Sequence, residues 1–134
     1  MSEEQRNLEV VARLGELWNA GQHEEVLSLY HEDAVMTAAP NWLEPGPWVG
    51  REQIARNQRD WVSAWEQIEM EVERVEAAGD KVVLLGQWHS RGAASGIGNI
   101  TPIAVVFTLE DGLIKRFDWL ESASEALRRA GIDE

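Results

Sequence analysis

The sequence predicts an α+β, cone-shaped fold: about three N-terminal helices packed on a curved antiparallel sheet, plus a short C-terminal helix. Three observations carry this expectation. Apolar residues recur at helical spacing through the first half, the period changes to two from Ile68, and turn residues then divide the second half into strands. Helices followed by a meander of strands place the helices on one sheet face, and a curved sheet covered in this way encloses a pocket.

The elements follow in order. Ser2-x-x-Gln5 is a capping-box pattern, and Leu8, Val11, Leu14 and Trp18 then share a helix face until Asn19-Ala20-Gly21 stops it. His23 to Tyr30 carries Val26, Leu27 and Tyr30 on one side, a short second helix, and Ala34 to Ala39 turns extended. Pro40 to Trp48 contains three prolines, which makes it an irregular, lid-like loop. Gly50-Arg51-Glu52 opens a third helix with Ile54, Gln58, Trp61, Val62 and Trp65 on one face, ending near Glu66. Ile68, Met70 and Val72 then alternate with Glu69, Glu71 and Glu73, whose side should be wet. Gly79-Asp80, the loop Gly92 to Gly98, and Asp111-Gly112 link strands over Lys81–Arg91, Ile100–Leu109 and Ile114 onward. Ser122-x-x-Glu125 caps a last helix that Arg128, Arg129 and Gly131 suit as a C-terminus.

Composition narrows the function classes. A chain of 134 residues with 44% apolar content and seven tryptophans suits one domain, 1–134, with a sizeable core. A formal charge of −12 repels nucleic acid and anionic membrane surfaces, so neither is expected as a partner. No cysteine is present, and no secretory or membrane-spanning stretch is visible, so the expected location is cytoplasmic. His23, His31 and His89 lack metal-ligand spacing, and the glycines Gly92, Gly96 and Gly98 precede a strand without a phosphate-loop lysine. No metal and no cofactor is expected.

On the last strand, strict alternation groups Ile114, Arg116 and Asp118 against Lys115, Phe117 and Trp119. An aspartate in apolar company is costly unless paired, hydrated or used. On the strand Lys81–Arg91, alternation groups Val83, Leu85, Gln87, His89 and Arg91 against Trp88.

The chain resembles the SnoaL-like and steroid isomerase-like branch of the nuclear transport factor 2-like superfamily over nearly its whole length. The resemblance rests on Leu17-Trp18-Asn19-Ala20-Gly21, Leu29 to Ala34, Val49 to Ile54, and Asp111-Gly112-Leu113-Ile114 running into Glu125-Ala126-Leu127. It implies that the concave sheet face lines the pocket, with Gln87, His89, Arg116 and Asp118 inward. It further implies Asp118 as the catalytic acid or base, at the position of the epoxide hydrolases' aspartate, with His89 as its partner. Gln87 and Arg116 then orient substrate, beside Met36 and Val105. Trp18, Trp42, Trp48, Trp61 and Trp65 read, from their own chemistry, either as walls of a pocket for a flat or cyclic apolar ligand or as core packing. The competing reading is that Asp118 only pairs with Arg116 or His89. Known chemistries of the superfamily match poorly. Ala38, Leu14 and Val105 stand where steroid isomerases carry their base and oxyanion-hole groups, and Gln87, His89, Met36 and Ala38 replace the supporting groups of the epoxide hydrolases.

Two functions from different classes follow from the resemblance. One is a cofactor-independent isomerase, cyclase or dehydratase acting on a mainly apolar cyclic metabolite. The other is a non-catalytic ligand-binding or dimeric accessory protein. Trp88 and Trp119, read as facing away from the cone, suggest a homodimer through the outer sheet face.

Overall fold

Local capping and turn chemistry sets most element ends in the computed structural model, which describes residues 2–39, 46–92 and 96–133. The proline-rich loop, with Trp42, therefore lies mostly outside the described residues. Helix α1 (Glu3–Asn19) starts at a complete capping box, in which Ser2 Oγ accepts from Gln5 N–H and Gln5 Oε1 accepts from Ser2 N–H. At its other end Asn19 Nδ2 donates to the Met70 carbonyl and Asn19 Oδ1 accepts from Met70 N–H, both at 2.8 Å. That paired amide ties the helix to the sheet edge.

The second helix is shorter than expected: α2 (His23–Val26) tightens into a 3₁₀ turn (Leu27–Leu29), and Tyr30 already opens β1 (Tyr30–Thr37). After β2 (Trp48–Val49) comes α3 (Arg51–Ser63), which ends before Trp65. Trp65 pairs with Gly92 and opens β3 (Trp65–Ala78), so sheet pairing captures a residue that helical spacing had claimed. Strands β4 (Lys81–Gly92), β5 (Gly98–Glu110) and β6 (Leu113–Trp119) follow. Asp111 and Gly112, at φ 54° and 79°, make the β5–β6 turn of the type that matches strand twist. Helix α4 (Ala123–Ala130) is capped by Ser122 Oγ, which accepts from Glu125 N–H, and ends at left-handed Gly131.

The strand order is β2-β1-β6-β5-β4-β3. The hairpins β3–β4–β5–β6 are antiparallel as expected, but β1 lies parallel to β6, so the sheet is mixed. At Gly86 the chain has no room for a side chain: an added Cβ would sit 2.0 Å from the Glu71 carbonyl oxygen, beside the bulge between Val72 and Arg74.

The sheet has two unlike faces. The inner face joins Val82, Leu84, Trp88, Ile103, Val105 and Phe107 to Val11, Leu14, Leu17 and Trp18 of α1 and Ile54 of α3 in one buried cluster. The outer face is covered in part by α4, whose Ala126 and Leu127 pack on Val83, Leu85, Ala104 and Val106.

Candidate functional site

Strand β6 decides which residues reach the inside. Its register runs Leu109 to Ile114 and then Thr108 to Arg116, so Lys115 is an extra residue, a bulge. The bulge breaks the alternation. Ile114 and Phe117 are both buried in the inner cluster, with Trp119 packed against it. Arg116 and Asp118 pair with Thr108 and Val106, on the outer side.

The inward placement of Gln87, His89, Arg116 and Asp118 is thereby corrected, as is the outward placement of Trp88 and Trp119. Gln87 and His89 share the odd-numbered face of β4 with Val83 and Leu85, which α4 covers. His89 and Asp118 are also far apart. His89 lies opposite Ile100 and Asp118 opposite Val106, six residues further along β5 and on its other side, a separation of about 20 Å along the strand alone.

Each of the two has another partner. Asp118, 7% exposed, accepts a hydrogen bond from the Thr37 hydroxyl at 2.6 Å on Oδ1, and Arg116 Nε donates to both carboxylate oxygens at 3.1 Å. Since Thr37 and Asp118 are register partners, this group clasps β1 to β6. His89 Nε2 lies 3.6 Å from Glu71 Oε2 on the neighbouring strand, and both side chains are largely exposed.

The inner face carries tryptophans instead. Trp88 is the hub, with ring centroids 5.4 Å from Trp18, 6.3 Å from Trp61 and 6.2 Å from Trp119, and Trp61 meets Trp65 edge-on at 5.5 Å. This wall stands where β3, β4 and β5 run on past the end of β6, since Trp119 is the last β6 residue paired and faces Val105. The Nε1 atoms of Trp18 and Trp65 are buried with no hydrogen-bond partner among the described residues.

Among the other expected ligand contacts, Met36 and Val105 belong to the core, 2% and 1% exposed. Trp48 packs on the core's edge and borders a small cleft with Gln53, Arg56 and Asp60 of α3. Trp61 and Trp65 sit in the aromatic wall. Trp88 and Trp119, absent from the expected site, are central to it. A signal for them exists in the sequence: Ile114, Phe117 and Trp119 are spaced three and then two apart, which strict alternation cannot accommodate on one face. With both tryptophans inside, they make no demand for cover by a second copy.

Among the described residues no cluster of histidine, aspartate and glutamate side chains is arranged to hold a metal ion. Nor is any helix long and apolar enough to cross a membrane.

Comparison with solved structures places the fold. A nuclear transport factor 2-like protein of unknown function from Burkholderia pseudomallei superposes with a TM-score of 0.78 at 18% identity, covering 97% of this chain and 98% of that one. A protein from Jannaschia, provisionally named a SnoaL-like polyketide cyclase, gives 0.79 at 23% identity over 97% and 94%. TerC, co-crystallised with polyporic acid, gives 0.76 at 17% identity over 93% and 97%. At these identities the likeness is one of fold. No curated protein matches the chain. The SnoaL-like domain family matches residues 11–117, and with the cone architecture this establishes that the chain belongs to the SnoaL-like domain family.

Proposed function

We propose that this protein binds a flat, mainly apolar cyclic molecule against the tryptophan wall, oriented by the indole N–H groups of Trp18 and Trp65. The observation that carries this reading is that both nitrogens are buried and unpartnered among the described residues. A buried donor left unpaired costs about 1–3 kcal/mol, which an acceptor oxygen on a ligand would recover. Trp61, Trp65 and Trp119 are only partly buried, so their faces can part to admit a ring. Solved structures of the same fold that are provisionally named polyketide cyclases, and TerC with polyporic acid, are consistent with a cyclic ligand. Asp118 and His89 face the other way and are engaged elsewhere, so the function proposed is binding and orientation, without proton transfer by that pair.

The test is calorimetric titration with naphthoquinones and with naphthalenes of the same outline. Saturable binding is expected, about tenfold tighter for the carbonyl-bearing series, with the ligand recovered unchanged. Trp65→Phe, which leaves the Trp18 donor, should reduce that preference. Equal affinity for the two series would refute the role of the indole donors, and conversion abolished by Asp118→Asn would restore the enzyme reading.

A further inference from the structure

The inner sheet face turns polar beside the tryptophan wall. Cross-strand partners share a face, and Trp88 stands in one row with Met70 of β3 and Thr101 of β5. Two residues further along β4 the next row is Ile68, Ser90 and Asn99. Met70, Trp88, Ile103, Val105 and Phe107 all lie in the inner buried cluster, so the same parity turns Ser90, Asn99 and Thr101 inward. Ser90 is 8% exposed, yet its hydroxyl has no hydrogen-bond partner among the described residues and is not sealed from the surface. Asn99 and Thr101 beside it are exposed and equally uncommitted. The charged residues Glu69, His89 and Arg91 alternate onto the outer face, so these two inner rows carry no charge. Ser90 lies about 7 Å from Trp88 along the strand and about 5 Å from Asn99 across it, within reach of a short substituent on a ring held by Trp88.

We propose that Ser90, Asn99 and Thr101 determine specificity at the tryptophan wall by binding a neutral hydrogen-bonding substituent, of the carboxamide or hydroxymethyl class, on the ring that the wall holds. The inference rests on the wall reading above and narrows its ligand to an aromatic or quinoid ring with one neutral polar arm. The chemistry of the rows selects that arm. Two hydroxyls and an amide each donate and accept, which a carboxamide matches in both senses. A carboxylate only accepts, and in these rows it would lose water beside tryptophan without a cation to pair with. An alkyl arm would strip water from the Ser90 hydroxyl and return no hydrogen bond, and a site built to hydrogen-bond an arm rejects the analogue that lacks it.

The experiment is calorimetric titration of the full chain with three 1,4-naphthoquinones that differ only at carbon 2, bearing a carboxamidomethyl, an isobutyl or a carboxymethyl arm. The first two have the same shape, and the third is ionised at neutral pH. The carboxamide should bind about tenfold tighter than either of the others. Ser90→Ala should cut that preference to about threefold or less. Equal affinity of carboxamide and isobutyl probes, tightest binding by the carboxylate, or a preference that survives Ser90→Ala undiminished would each overturn the proposal. If the unsubstituted naphthoquinone still binds saturably, those results leave the wall reading intact, whereas no binding by any of the four would overturn both. Should Ser90→Ala fail to fold, Asn99→Ala, at an exposed position, carries the same expectation and the same refutation.

Discussion

Replacing Asp118 by asparagine separates a structural clasp from a catalytic group. The carboxylate is almost enclosed, its side chain 10% exposed, and it accepts from Thr37 Oγ1 and from Arg116, whose single Nε–H is shared between the two carboxylate oxygens. Charge-assisted hydrogen bonds contribute about 1.5–3 kcal/mol in net terms. The Arg116 side chain is 49% exposed, so its share is discounted for solvent screening. Asparagine keeps one acceptor oxygen for Thr37, so Asp118→Asn should cost about 1–2 kcal/mol and Thr37→Val about 1 kcal/mol. Because both act on one bond, the double variant should fall short of the sum by about 0.5–1 kcal/mol. Urea unfolding followed by circular dichroism reads this as a lower midpoint with unchanged slope. Binding at the tryptophan wall, on the opposite sheet face, should be unaltered. An Asp118→Asn protein of wild-type stability that had lost ligand binding or turnover would refute the clasp.

Two further outcomes follow. Burial pushes the Tyr30 phenol well above the usual tyrosine range, against a smaller opposing effect of the Gln58 hydrogen bond. A raised folded value means that the stability it contributes is complete below the unfolded value of about 10 and declines as pH rises above it. Since Tyr30 is the only tyrosine, tyrosinate absorbance should appear only with alkaline unfolding, and an early signal from folded protein would contradict its burial. Gly86→Ala forces a methyl group against the Glu71 carbonyl and should cost about 1–3 kcal/mol or more in urea unfolding, and a neutral effect would show that β3 shifts freely there.

The sequence by itself determined most of the elements and several of their ends, because those signals are local. A capping box at Ser2, a type I′ pair at Asp111-Gly112, a glycine stop at Gly131 and the change of period at Ile68 act through neighbours a few residues apart. The parallel seating of β1 beside β6 and the handover of Trp65 from helix to strand depended on partners distant in the chain, Phe117 and Asp118 for Met36 and Thr37, and Gly92 for Trp65. The identity of the inner face depended on such partners too. A single extra residue, Lys115, reverses every assignment after it, and along β4 the run Val82–Leu85 is apolar on both sides because α1 covers one and α4 the other. Only the tertiary structure could resolve that. Periodicity says which side chains travel together, whereas the register across β5 and the helix packed on each face say where they arrive, which is why Asp118 became a clasp and Trp88 the centre of the proposed site.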